Sequence, residues 1–234
     1  MTELEILYRD SELLAVNKPP GMIVHRGWGR ARIALVDLIR EISRQDVARP
    51  AHRLDQGTSG AVLFALDRES SRSLAAQLEA REVEKRYLAL VRGEAPEVAV
   101  VDHPIPRVEG GPRVPSVTEI RRLATVDAAP RTLSLVEARP RTGRLHQVRR
   151  HLKHIDHPVI GDANYGKGAL NREIAARYGL VRLALHAFSI AFRHPRTGAR
   201  IEIVAPVPAD LAGPLAAMGF DDVLRALLAS ANIG

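Results

Sequence analysis

Apolar and polar positions along the chain fall into short runs that predict alternating strands and helices. Residues 4–16 read as short strands around a turn at Asp10-Ser11, ending in the apolar run Leu13-Leu14-Ala15-Val16 before Asn17-Lys18-Pro19-Pro20-Gly21 breaks the pattern. Leu35, Leu38, Ile39 and Ile42 recur at helical spacing, which predicts an amphipathic helix over roughly 34–45. Residues 61–66 form an apolar run expected to be a buried strand. Ser70 or Ser71 can cap a following helix that carries Leu74 and Leu78 and runs to about residue 82. Strands are expected at 87–91, 116–123 and 133–138, and a short helix at about 145–153. The rest of 94–131 reads as an irregular, Pro/Gly-rich insertion, and 156–181 as a glycine-containing functional loop with one short helix. Phe188, Ile190 and Phe192 alternate with smaller residues and pair, across a turn at 194–198, with Ile201 and Ile203 as a hairpin. The tail is helical, with Val223, Leu224, Leu227 and Leu228 on one stripe. Strand runs separated by helices without a strict β-α-β-α rhythm predict an α+β fold, with a mixed, mainly antiparallel central sheet and flanking helices. No repeat or low-complexity linker divides the sequence, so 1–234 is taken as one domain.

Composition narrows the chemistry. The 234 residues contain no cysteine, which excludes a disulfide scaffold, a zinc-thiolate or iron–sulfur site and a thiol nucleophile. The first residues lack a basic segment followed by an apolar one, so no signal peptide is expected, and no apolar run approaches the ~20 residues that span a bilayer. A soluble, cytoplasmic protein is the expectation. The net charge is +7, and the cations are thirty arginines to four lysines. Arginine suits bidentate phosphate contacts and stacking on bases, although a GC-rich genome would also raise its count. Position says more than number. Residues 139–154 hold six Arg/Lys and three His with no acidic residue, the footprint of a polyanion binder. His151, His154 and His157 recur at every third position, which is not the i, i+4 pair of a helical zinc site, and no metal is expected there.

The segment Ala51-His52-Arg53-Leu54-Asp55-Gln56-Gly57-Thr58-Ser59-Gly60 concentrates the chemistry. A carboxylate sits two residues after an arginine, then a Gly/Thr/Ser turn, then a buried strand. Such a turn can hold Asp55 in one rotamer through backbone N–H and hydroxyl donors, or it is simply an Asx-turn ending a loop.

His52 to Gly60 resembles the catalytic signature H-R-L-D-x-x-T-S-G of the RluA-type pseudouridine synthases at every fixed position. Further stretches match in order. Asn17-Lys18-Pro19-Pro20-Gly21 with His25 resembles N-K-P-x-G…H, and Lys85-Arg86-Tyr87-Leu88-Ala89 resembles K-x-Y-x-A. Residues 142–152, with Gly161-Asp162 and Tyr165-Gly166, resemble T-G-R-x-H-Q-x-R-x-H-L…G-D-x-x-Y-G, and Leu185-His186-Ala187 resembles L-H-A. The likeness covers about 4–205. It implies a pseudouridine-synthase fold with a catalytic cleft, and isomerisation of uridine in RNA with neither metal nor organic cofactor. The short chain, beginning directly with a strand and without an N-terminal RNA-binding domain, is similar to the tRNA-modifying branch. Uridine 65 of tRNA is the implied target and ribosomal RNA the alternative. Residues 24–28 and 179–187 support that branch. An obligate protein partner is not implied, and a monomer is expected.

The resemblance also implies roles. Asp55 acts on the ribose, as nucleophile or as the base of a glycal route. Arg149 pairs with it and keeps it ionised against desolvation. Arg149 and Arg150 face different sides of a helix, so only one points at the cleft, and the motif selects Arg149. Tyr87 stacks on the uracil and its hydroxyl can assist proton removal, while Leu185 packs on the other face of the base. Arg53 enters the RNA stack to expel the target nucleotide, or else contacts a phosphate. Arg139, Arg141, Arg144, Arg150 and Lys153 are expected phosphate contacts. His52 and His146 support the motif turns, His52 close to the substrate. A non-catalytic RNA-binding protein would not need the trio Asp55, Tyr87 and Arg149. A carboxylate hydrolase would want a second acid near Asp55, but Asp46 and Asp67 sit in ordinary loop contexts and Asp162 follows a glycine in the distal loop.

Overall fold

The structure, a computed structural model, describes residues 4–26, 33–108 and 110–231; Gly27 and Trp28 of the N-terminal motif region lie outside them. In chain order the elements are β1 (Ile6–Arg9), β2 (Leu13–Lys18), α1 (Leu35–Ser43), β3 (Arg49–Pro50), β4 (Ser59–Ala65), α2 (Arg68–Glu79) and β5 (Glu84–Arg92). There follow β6 (Val98–Asp102), β7 (Ile105–Pro106), β8 (Arg113–Val114), β9 (Val117–Ala128), β10 (Arg131–Pro140), α3 (Gln147–His154) and α4 (Gly168–Tyr178). The last are β11 (Leu185–Arg193), β12 (Arg200–Val204), α5 (Ala209–Ala217) and α6 (Asp221–Ala231). The fold class is α+β. The chain clusters into two compact units, one of residues 1–85 with 187–206, the other of 86–186 with 207–234.

In the first unit β1 pairs with β2, β2 and β3 with β4, and β11 with β12, all antiparallel. β4 is buried along its whole length, which explains its unbroken apolar run. Its core joins Leu13, Ala15, Leu63, Leu74, Ile190, Phe192 and Ile203. The helix after β4 is capped by Asp67, not by Ser70 or Ser71. The Asp67 carboxylate accepts from the Ser70 backbone N–H at 2.8 Å and the Ser70 hydroxyl at 2.7 Å. An aspartate three positions earlier reaches the N3 amide that a serine already inside the first turn cannot cap. The two hairpins are tied together by His194, which lies 2.9 Å from Asp10 through Nε2.

In the second unit β5, β10, β9 and β6 lie side by side and each pairing is antiparallel. The segment 94–131 is therefore not irregular. It contains β6, the small β7–β8 hairpin and a twelve-residue β9. Pro and Gly mark the turns between these strands, and the short alternating run Val98–Asp102 qualifies as a strand only by pairing with β9. The helix expected within 156–181 is the eleven-residue α4, closed by Gly179 at φ 74°. Helix α3 buries Gln147, Val148, Arg149, His151 and Leu152, so three of these five buried side chains are polar. Beside it, the buried Glu137 carboxylate gathers the guanidiniums of Arg86 at 2.7 Å and Arg139 at 2.8 Å. Burial pushes that carboxyl up, but the two arginines more than offset it and hold it below its ordinary value.

Candidate active site

His52, Arg53 and Asp55 belong to the first unit; Tyr87, Arg141, Arg144, Arg149, Arg150 and Leu185 belong to the second. In the first unit Asp55 opens a tight turn closed by the Thr58 N–H donating to the Asp55 carbonyl at 3.1 Å. The turn is braced from behind by the Asn-Lys-Pro-Pro-Gly loop. The Gly21 N–H donates to the Gln56 carbonyl at 2.8 Å, and the Gln56 side-chain amide returns a bond to the Gly21 carbonyl at 3.0 Å. The ammonium of Lys18, fully buried, donates to the carbonyls of Pro19 (2.9 Å), Met22 (2.8 Å) and Gln56 (3.3 Å). Asp55 itself is half-buried, in the turn that leads into the wholly buried β4. The hydroxyl of Thr58, expected to steady the carboxylate, is buried with no hydrogen-bond partner; main-chain bonds hold the turn instead.

Gly60, the last residue of the signature, adopts φ +119°, and a Cβ there would lie 2.2 Å from the Ala187 carbonyl oxygen. Two of the motifs, T-S-G and L-H-A, thus meet as backbone against backbone. His52 stands beside the turn. Its Nε2 lies 3.3 Å from the Leu63 N–H and accepts from it, so the ring proton is on Nδ1. Burial, with the Lys85 charge adding to it, pulls its pKa down to about 3, so the ring is neutral. Arg53 is exposed.

In the second unit the basic segment is organised around one ion pair. Arg149 donates through Nε to Asp162 Oδ2 at 2.7 Å and through Nη2 to Oδ1 at 2.8 Å, a fork-to-fork pair with both partners buried. Asp162 also accepts the N–H groups of Asn164 and Tyr165 at 2.9 and 3.0 Å. Burial pushes its carboxyl up, but Arg149 and these amides win and hold it below the usual carboxylate range. The Gly161-Asp162 corner needs glycine, since a Cβ at Gly161 would meet the Arg182 carbonyl at 1.9 Å. Arg149 and Arg150 do not diverge as helical phase alone predicts. Their guanidinium carbons lie 5.0 and 5.3 Å from the Tyr165 ring centroid, and Arg150 Nε donates to the Tyr165 hydroxyl at 2.8 Å. Positions one apart differ by about 100° on a helix, and long side chains close that gap over one flat ring.

The remaining motif residues are braces. Gln147 Oε1 accepts from the Thr142 hydroxyl and the Arg144 N–H, while its amide donates to Val117 and Thr118. His146 starts α3 at φ 52° and sets Nδ1 3.0 Å from the Tyr165 hydroxyl. Arg141 makes a two-bond pair with Glu119, each bond 2.8 Å, and Arg144 Nε is buried without a hydrogen-bond partner. Tyr87 and Leu185 both pack in the core cluster of this unit. Sequence reasoning passed over Lys18 and Asp162 as working residues. A lysine in an Asn-Lys-Pro-Pro-Gly break and an acid directly after glycine, each inside a matched motif, were the available signals.

Among the described residues, one group of side chains is close enough to share a metal ion: Asp10, Glu12 and His194. His194 Nδ1 accepts the N–H groups of Arg196 and Thr197, so its proton sits on Nε2 facing Asp10 and offers no lone pair there.

The family model for RNA pseudouridylate synthase matches residues 12–154. The chain belongs to the RNA pseudouridylate synthase family. It is 41% identical to tRNA pseudouridine synthase C of Haemophilus ducreyi over 221 residues, covering 87% of this chain and 90% of that protein. It is 42% identical to the protein of the same name from Salmonella typhimurium over 222 residues, covering 86% and 85%. The solved structure of Human RNA Pseudouridylate Synthase Domain Containing 1 superposes with a TM-score of 0.72 at 29% identity, covering 97% of this chain and 95% of that one. The protein is thus an RNA pseudouridine synthase, an isomerase. Among the described residues no helix is long and apolar enough to cross a membrane. For a synthase built this way, Lys18→Met is expected to cost about 2–3 kcal/mol, because three carbonyls lose a charged donor in a buried site. A urea-unfolding midpoint measured beside turnover checks it; an unchanged midpoint contradicts the bracing role.

Proposed function

We propose that the protein converts uridine 65 of tRNA to pseudouridine, with Asp55 as the group that acts on the ribose. The observation that carries this reading is the complete His-Arg-Leu-Asp-x-x-Thr-Ser-Gly turn, braced through Lys18 and Gln56, in a chain whose relatives at 35–42% identity share one tRNA-synthase name. The reaction detaches uracil, turns it and rejoins it through carbon 5, with no redox change and no hydrolysis. It asks for one ionised carboxylate at the sugar, a cation that keeps it ionised, and a platform for the free base.

In this reading Arg149 is the cation, and its fork on Asp162 and its place over Tyr165 hold the guanidinium in one orientation. Tyr87 stacks on the uracil and Leu185 backs it. Arg53, exposed beside the turn, fills the space left when the nucleotide leaves its helix. Arg139, Arg141, Arg144, Arg150, Lys153 and His52 contact the surrounding RNA. Arg144 Nε is a buried donor still without a protein acceptor, which suits an incoming phosphate. The enzyme works as a cytoplasmic monomer, without metal, organic cofactor or obligate protein partner.

Carbodiimide primer extension on total tRNA and ribosomal RNA, from cells with and without the gene, tests this. The expected result is loss of one stop, at tRNA position 65. Loss at a ribosomal site instead assigns the enzyme to that substrate.

A further inference from the structure

The outer side of α3 carries a feature that the isomerisation does not use. The His154 ring stacks on the His103 ring with centroids 3.8 Å apart and planes 17° apart. His103 lies in the link between β6 and β7. The link is pinned by its own N–H donating to the Ser116 carbonyl at 3.2 Å and by its carbonyl, 2.9 Å from Nε2 of His151. His151, fully buried, is held on its other side by the Thr118 hydroxyl at 2.8 Å. The position of the upper ring is therefore built from three directions.

Its protonation state can be read from its neighbour. Arg113, on β8, donates from Nη1 to His103 Nε2 at 2.9 Å and to the Pro104 carbonyl at 3.4 Å. A guanidinium has no lone pair, so Nε2 of His103 accepts, its proton is on Nδ1, and the ring is neutral. A proton added at Nε2 would displace Arg113 from the ring and free that donor. The charged and titratable groups around the stack are Arg113 from β8, His151 from α3 and Asp102 at the end of β6, and Lys153 directly precedes His154 on α3. Arg113 and Lys153 are exposed. Cations outnumber the single carboxylate. Burial, then His154 and Arg113, hold His103 below the ordinary imidazole range. Such a face disfavours a second positive charge until an anion arrives.

We propose that His103, Arg113, Lys153 and His154 dock a phosphate of the RNA backbone, and that the stacked imidazoles take up a proton as it binds. The proposal rests on the RNA substrate of the preceding reading, but concerns affinity and not the chemical step. The bound phosphate supplies the negative charge that the stack lacks, so the imidazolium gains a partner and Arg113 gains an oxygen to replace the ring nitrogen.

Binding of a tRNA transcript, measured by filter retention between pH 8 and pH 6 at constant ionic strength, tests it. Wild-type Kd is expected to fall several-fold toward pH 6, within the bound of about tenfold per pH unit for one proton. In His154→Asn this dependence is expected to flatten. In His154→Lys binding is expected to be tight and insensitive to pH, which separates loss of charge from loss of fold. Arg113→Gln and Lys153→Gln should each reduce the log–log salt slope by roughly 0.7–0.9. Wild-type pH dependence retained in His154→Asn, weak binding in His154→Lys, or an unchanged salt slope in both charge variants overturns the proposal. A pseudouridine stop retained at tRNA position 65 in cells without the gene would overturn the functional reading and leave this binding result standing on its own.

Discussion

Asp55→Asn is expected to abolish turnover while leaving tRNA binding close to wild type. The asparagine side chain has the same shape, and the bonds that make the turn are main-chain bonds, from the Thr58 N–H to the residue-55 carbonyl and between Gly21 and Gln56. The loop therefore survives the substitution. What disappears is the negative charge that, in the proposed mechanism, lets the carboxylate attack the sugar or remove its proton. A neutral amide does neither, so the loss should be on the order of 10⁴-fold or more, about 5 kcal/mol of transition-state stabilisation. Tritium release from uridine-labelled tRNA under single-turnover conditions reads the chemistry, and filter binding reads the affinity. Activity within tenfold of wild type in the purified variant would remove Asp55 from the mechanism.

The second large effect concerns Asp162. Removing one partner of a buried ion pair strands the other charge away from water, and Asp162→Ala is expected to destabilise the protein by about 3–5 kcal/mol. That is a large share of a domain's total stability of roughly 5–15 kcal/mol. Arg149 then loses both fork bonds, and the Asn164 and Tyr165 amides lose their acceptor. Asp162→Asn keeps the shape and isolates the charge. Because the folded carboxyl titrates below its unfolded value, its contribution is fully present above the ordinary carboxylate pKa of about 4. It drains away as pH falls through the depressed value. The stability gap between wild type and Asp162→Asn, from urea unfolding, should therefore be constant from pH 7 to about 5 and shrink below 4. A gap unchanged by acid would mean that the carboxylate charge does not hold Arg149.

The two predictions bear on different units of the chain. A variant of Asp55 should melt like wild type and fail chemically. A variant of Asp162 should lose stability first, and turnover with it, because it acts through Arg149.

Much of this was legible in the amino-acid order. The α+β class followed from where period-2 runs give way to period-3.6 runs, since a face buried on one side leaves that mark whatever packs against it. The motifs were legible because the chemistry demands particular side chains at close spacing, as in Arg53, Asp55 and Gly60. The glycine at 60 is explained only by the Ala187 carbonyl that approaches it from far along the chain. Strand β6 escaped a local reading, because Pro and Gly around it signal turns as strongly as they signal disorder. The strand exists through its pairing with β9. The capping aspartate at 67 and the convergence of Arg149 and Arg150 on Tyr165 are also matters of reach in three dimensions, which spacing does not encode. Side-chain identity and the basic run at 139–154 already name the groups able to do chemistry and point to a polyanion, because neither depends on the fold. Tertiary structure alone decided which of those groups are held still. Burial, a carbonyl at the right distance and a partner for each charge come from residues distant in the chain, as Lys18 with Gln56 and Arg149 with Asp162 show.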